Sequence, residues 1–209
     1  FLKGIKQKID LEEIYHHRGS VFGKHVTAQP SQIDIENTLS IQLLKFLHQG
    51  YTKLVLEDEG NNIGSRNLPK CLVNKMHHSP VVVLEASIDE RINITFQEYI
   101  IEALAEHKLH LGDEQGFLSW SKQLLDSIDT IQRRLGGVRH LQLKSLMTNA
   151  IQQQLAGDFE FHKDWIKILL VDYYDPMYDY QLGKKQDRVI FKGNKNEVRD
   201  YLTSESKIK

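Results

Sequence analysis

Cys71 is the only cysteine in this 209-residue sequence, so an internal disulfide and a cysteine-based zinc cluster are both excluded. Net charge is equally scarce. With 27 Lys and Arg against 28 Asp and Glu, the formal charge is -1, and any affinity for a polyanion must come from a local patch. No run approaches the roughly 18 apolar residues that a membrane-spanning helix needs. The opening Phe1-Leu2-Lys3-Gly4 lacks the apolar core and small-residue cleavage site of a signal peptide. One cysteine and no apolar span fit a cytoplasmic protein without a membrane partner. A start on Phe-Leu, without methionine, is expected of a chain that begins partway through a longer protein. Also missing is any G-x-x-x-x-G-K-[ST] phosphate loop.

What is present suffices for a folded core: 40% of the residues are hydrophobic and 26% charged, and no repeat or low-complexity linker interrupts them. Only the tail, Thr203 to Lys209, is expected to fray. The first half alternates strand-like and helix-like segments, the pattern of a parallel α/β sheet. Leu54-Val55-Leu56 and Val81-Val82-Val83-Leu84 suit buried parallel strands. Residues 34 to 48 set Ile35, Leu39, Leu43, Leu44 and Leu47 at helical spacing before Gly50, and further helices are predicted over 68–76 and 88–106. From residue 117 the pattern is helical, over 117–135, 138–155 and 160–173, with breaks at Gly136-Gly137 and Gly157-Asp158. A late strand at about 188–193 is expected to return to the sheet, with a short helix after it. The division expected is an α/β core over 1–116 and a helical subdomain over 117–209.

Residues 16–32 have neither helical nor strand period and read as a functional loop. Gly19 and Gly23 let backbone N–H groups approach a ligand, Arg18 can fork onto a phosphate, and His17, Ser20, Ser31 and Gln32 add polar groups. An ordinary surface turn with a satisfied histidine pair is the competing explanation. Leu54-Val55-Leu56-Glu57-Asp58-Glu59-Gly60 is an apolar segment ending in three acids, the shape of a Walker B segment, in which a carboxylate meets Mg²⁺ or its water. On an extended chain Glu57 and Glu59 share one face and Asp58 takes the other. A strand running into a solvated acidic turn would look the same. Ser65 and Arg66 follow closely and could take a second phosphate. A Walker B segment without its phosphate loop cannot bind nucleotide in the usual way, and the loop's place in a P-loop NTPase sheet would lie just upstream of Phe1.

Tyr173, Tyr174, Tyr178 and Tyr180, interleaved with Asp172, Asp175 and Asp179 and followed by Lys184, Lys185 and Arg188, suit RNA, whose bases stack and whose phosphates pair. Core-packing tyrosines beside solvated lysines are the alternative. Arg133, Arg134, Arg139, Lys3, Lys6 and Lys8 are weaker basic spots. Among ten histidines, His107 and His110 are spaced to share a helical face, but a metal site lacks a convincing third ligand. Cys71 reads as a small core residue of an amphipathic helix.

In order, His17-Arg18-Gly19-Ser20, Phe22-Gly23, Gln29-Pro30-Ser31-Gln32 with Glu36, Leu56-Glu57-Asp58-Glu59-Gly60 with Ile63-Gly64-Ser65, Asp113-Glu114-Gln115-Gly116 and Tyr173-Tyr174-Asp175-Pro176-Met177-Tyr178 resemble the motifs of the bacterial tRNA 2-selenouridine synthase family. The resemblance runs from about Ile9 to Gly193. It implies a P-loop domain taken from just after its Walker A loop, with a rhodanese domain and its catalytic cysteine expected upstream. It further implies a transferase that replaces the sulfur of wobble 2-thiouridine in tRNA with selenium from selenophosphate, through an S-geranylated intermediate made from geranyl diphosphate. Carried onto this sequence by residue chemistry, Arg18, Ser20 and Gln32 would line a diphosphate or selenophosphate pocket with His17, Gly19, Ser65 and Arg66 around it. Glu57 and Asp58 would hold Mg²⁺ or polarise water. Tyr174, Tyr178, Lys184, Lys185 and Arg188 would face tRNA. The uridine sulfur is itself the nucleophile, so no protein nucleophile is required, and this chain alone is not expected to complete the reaction. Two other readings stand beside this one. A nucleotide-kinase-like phosphotransferase draws support from Asp89-Glu90-Arg91 at a helix start, and a non-catalytic RNA or protein interaction domain would use the same surfaces.

Overall fold

The computed structural model describes Leu2 and residues 4–205; Phe1, Lys3 and the tail residues 206–209 lie outside the described residues. It is an α/β structure in two compact units. The first takes residues up to Ser20, Thr27–Ala86 and the chain from Lys185 onward, and the second takes Val21–Val26 and Ser87–Lys184. Among the described residues, no helix is long and apolar enough to cross a membrane.

In the first unit, α1 (Leu11–Tyr15) starts where the Asp10 side chain accepts from Glu13 N, and it stops at His16, which is left-handed at φ 49°. Helix α2 (Gln32–His48) is capped by Ser31, and Gly50 follows its end at φ +79°. The short hairpin β1 (Asn62–Ile63) and β2 (Arg66–Asn67) is antiparallel, and α3 (Lys70–His77) follows it. Strand β3 (Val81–Leu84) pairs in parallel with β4 (Val189–Gly193), and α11 (Lys195–Glu205) follows that strand. Ile9, Leu11, Tyr15, Ile35, Leu39, Ile63 and Leu68 form this unit's core.

The second unit is helical: α4 (Ile88–Phe96), α5 (Ala103–Leu111), α6 (Asp113–Thr130), α7 (Gln132–Leu135), α8 (Gly137–Leu155), α9 (His162–Leu169) and α10 (Asp175–Gly183). Its core gathers Phe22, Ile100, Trp120, Ile128, Leu143, Met147, Trp165 and Ile166; full burial of such side chains contributes about 1.5 to 3 kcal/mol each. Two wide π-helical turns interrupt the helices, Gln97–Glu102 between α4 and α5 and Leu170–Tyr174 before α10. Trp120 Nε1 donates to Tyr99 O at 2.9 Å, giving a carbonyl of the first wide turn a partner. Fully buried His162 accepts from Trp165 Nε1 at Nδ1 (3.0 Å) and donates from Nε2 to Gln154 (2.7 Å); burial pushes its pKa down to about 4.

Several expectations change. Leu54–Leu56 is extended but not a regular strand: only Val55 pairs, with Lys8, through Ile9 N to Val55 O (3.1 Å) and Val55 N to Gln7 O (2.8 Å). Among the described residues the sheets are two-stranded, one parallel and one antiparallel, rather than one mainly parallel sheet. Leu44 and Leu47 face outward, each 66% exposed, because α2 buries Ile35, Leu39 and Phe46 on its other side. Cys71 is exposed, since α3 packs with Leu72, Val73 and Met76 instead. The tyrosine-rich segment is helix, because Pro176 sits in the first turn of α10, where its missing N–H costs no hydrogen bond. His107 is buried and His110 exposed, so the two do not present a common ligand face.

Candidate functional site

The loop His17–Ser20 leaves α1 in the first unit, and the residues around it are pinned by amide side chains. Gln29 Nε2 donates to Tyr15 O (2.9 Å) and Ile63 O (3.1 Å), while its Oε1 accepts from Ser65 N (2.8 Å) and Ser65 Oγ (3.0 Å). Gln32 brackets Asn67, donating to its O at 2.9 Å and accepting from its N at 3.1 Å, and also donates to Glu36 (2.8 Å). Arg66 Nε donates to Pro30 O at 2.8 Å. Both ends of the Gln29–Gln32 segment are thus stapled to the β1–β2 hairpin. Tyr15 completes the frame: fully buried, it donates its hydroxyl to Asn67 O (3.0 Å), and burial, then the Glu36 charge, pushes its pKa up to about 12.

Two glycines show why the loop needs them. Gly19 has φ +68°, and a Cβ there would lie 2.5 Å from Glu12 Oε1 and 2.7 Å from Glu59 Oε1. Gly64 has φ +59°, and a Cβ there would collide with Gln29 Oε1 and His17 Cδ2. Left-handed backbone favours glycine at both positions, and at Gly64 close approach adds to it because Gln29 is held by its hydrogen bonds, whereas the Glu12 and Glu59 carboxylates beside Gly19 can rotate aside.

The acid triplet divides as an extended chain requires, with Glu57 and Glu59 half-buried and Asp58 exposed. Glu57 Oε2 accepts from Leu11 N (3.0 Å) at the start of α1, and Asp58 is paired with Lys185. The two acids expected to hold Mg²⁺ are therefore engaged by the unit's own groups. Glu59, which is not among the predicted site residues, lies with Glu12 against Gly19. Its side-chain alternation with Glu57 was the available signal. Burial first, then the Glu57 and Asp58 charges, pushes its pKa up to about 7.

The sign of this coupling is fixed by the direction of the shift. The folded state takes up the Glu59 proton at higher pH than the unfolded chain, so the stability contribution is present in full below the unfolded value of about 4.5 and is lost as pH rises to about 7. Glu59→Gln is expected to stabilise the protein by about 1 kcal/mol at pH 8, discounted for partial exposure, and to flatten the stability profile between pH 5 and 7. Urea titrations across that range check it; a wild-type profile no steeper than the variant's would refute the shift.

Of the residues expected to face RNA, Tyr174, Tyr178 and Lys184 belong to the second unit and Lys185 and Arg188 to the first. Tyr174 and Tyr178 stack with centroids 6.1 Å apart, and Lys184 Nζ sits 4.1 Å over the Tyr180 ring. Tyr178 and Tyr180 are 57% and 66% exposed. Arg188 Nη1 donates to Met76 O (3.0 Å) and Ser79 O (2.8 Å), holding the end of α3. The Asp89-Glu90-Arg91 signal has local explanations: Glu90 forms a capping box with Ser87, and Arg91 pairs with Asp175.

An AAA-type domain is the class this chain matches: the tRNA 2-selenouridine synthase AAA domain family covers residues 1–209. The chain belongs to that family. It is 42% identical over 207 residues to a tRNA 2-selenouridine synthase of Hahella chejuensis, covering 98% of this chain and 54% of that protein. A Marinobacter nauticus protein of the same name is 43% identical over 204 residues (97% of this chain, 56% of that protein), and one from Bordetella petrii is 44% identical over 202 residues (96% and 54%). The chain thus spans about half the length of these relatives. No solved structure matches it.

Proposed function

We propose that this chain provides phosphate or diphosphate binding and tRNA binding within a transferase that converts wobble 2-thiouridine to 2-selenouridine through a geranylated intermediate. The observation that carries the reading is identity of 42% to 44%, along 96% or more of the chain, to proteins named tRNA 2-selenouridine synthase. Selenophosphate and geranyl diphosphate are the proposed small substrates, and a rhodanese domain in the whole protein the proposed source of the catalytic cysteine. The fold completing this reading is a P-loop-type sheet, to which the parallel β3–β4 pair and the parallel bridge of Val55 to Lys8 would belong.

The local chemistry supports a leaving diphosphate. Gly19 exposes backbone in a left-handed turn beside Arg18, and a guanidinium fork with fixed N–H groups stabilises charge building on departing phosphate oxygens better than mobile water does. The uridine sulfur attacks the geranyl carbon, the C–O bond to diphosphate breaks, and no protein nucleophile is consumed. Gln32, Ser65 and Arg66 contribute by holding this wall in place.

Binding of 2-thiouridine tRNA tests the reading. A surface that neutralises about four phosphates would make log affinity fall with log salt at a slope of about -3 or steeper. An affinity indifferent to salt would count against a phosphate-tracking surface.

A further inference from the structure

In the second unit, Arg91 of α4 and Asp175, the first residue of α10, lie 84 positions apart in sequence and pair through Nη1 and Nη2 of the guanidinium and both carboxylate oxygens. Each is about one-third exposed. The Arg91 hydrogen bond holds the Asp175 carboxyl below its ordinary range, and the same bond raises Arg91. A bidentate fork fixes angle as well as distance, so it sets how α10 leaves the wide turn Leu170–Tyr174. Such π-turns recur where a helix must present particular side chains.

The side chains presented are aromatic. Tyr173 and Tyr174 meet edge to face at 5.0 Å, Tyr174 stacks on Tyr178, and exposed Tyr180 carries the Lys184 ammonium over its ring. Asp172, Asp175 and Asp179 alternate with these rings, and unpaired carboxylates there would repel a polyanion. Arg91 neutralises Asp175, and Asp179 also acts on its guanidinium. We propose that Arg91 and Asp175 are a positioning pair that presents the Tyr174–Tyr178 stack, one face of α10, as a stacking platform for unpaired RNA bases. This rests on the tRNA reading above. The pair touches no base itself: the clamp aims the stacked rings and removes a repelling charge beside them, while the exposed ring of Tyr178 meets the RNA.

The test measures binding of the whole chain to an anticodon stem-loop and to a fully paired RNA duplex of equal length. Arg91→Lys keeps the charge but loses the fork. It is expected to weaken stem-loop binding about fivefold, leaving duplex binding and the salt slope unchanged. The exchanged pair, Arg91→Asp with Asp175→Arg, is expected to restore stem-loop affinity to within about twofold of wild type. Unchanged stem-loop affinity in Arg91→Lys, or equal losses for stem-loop and duplex, would overturn the proposal. Should Arg91→Lys lose helical circular dichroism, Asp175→Asn takes its place with the same expected split. Failure of the wild-type chain to bind either RNA would instead defeat the tRNA reading, and unaltered stem-loop binding in Tyr178→Ala would defeat the platform.

Discussion

Gly116→Ala is expected to lower the melting temperature by about 5 °C, the mark of a net loss near 2 kcal/mol in a chain of this size. Gly116 lies in the first turns of α6, where that helix turns back on α5. A Cβ there would come within 2.5 Å of Lys108 Cα, 2.6 Å of Lys108 N and 2.7 Å of His107 O. All three are backbone atoms of α5, so relief requires moving a whole helix rather than rotating a side chain. Overpacking of this kind costs about 1 to 3 kcal/mol and more against rigid atoms, while alanine returns about 1 kcal/mol of helix propensity. Gly137, which opens α8 with no atom within 4 Å of its built Cβ, is the control: Gly137→Ala should be neutral or slightly stabilising. Thermal unfolding of both variants decides it, and equal melting temperatures would mean that α5 and α6 do not pack as closely as described. The glycine that closes the Asp113-Glu114-Gln115-Gly116 motif is thereby explained by helix contact, not by a ligand.

That motif marks the boundary of what the sequence disclosed. Long periodic helices were legible because their apolar spacing and their glycine stops are local: Gly50 after α2 and Gly136 before α8 fall at helix ends as predicted. Helix α1 escaped notice because five residues show too little period, and the β1–β2 hairpin because two-residue strands cannot display alternation. Its signal was Gly64 in the turn, not any apolar pattern. The resemblance to the family was carried by ordered motifs, yet their roles in the fold were not readable from them. Gln32, expected beside a phosphate, also holds Asn67 of the hairpin, and Glu59, notable in the sequence only for sharing a face with Glu57, lies against Gly19. The link from Arg91 to Asp175 spans 84 positions and depends on how α4 and α10 pack, which no local pattern specifies.

Arg18→Ala carries the second large effect. Arg18 is half-buried in the loop between His17 and Gly19, and the left-handed Gly19 directly follows it. Its guanidinium can offer two parallel N–H groups to phosphate oxygens, an arrangement that alanine removes entirely and lysine replaces only with a point charge. In the proposed reaction charge on those oxygens grows as diphosphate leaves, so the loss should fall on turnover more than on substrate binding. Arg18→Lys is expected to lie between wild type and Arg18→Ala. The decisive measurement is geranyl transfer from geranyl diphosphate to 2-thiouridine tRNA by the whole enzyme at saturating substrates. Turnover reduced at least about tenfold in Arg18→Ala, with the fold retained, is the predicted result; turnover equal to wild type would contradict the assignment of this loop to the phosphate site.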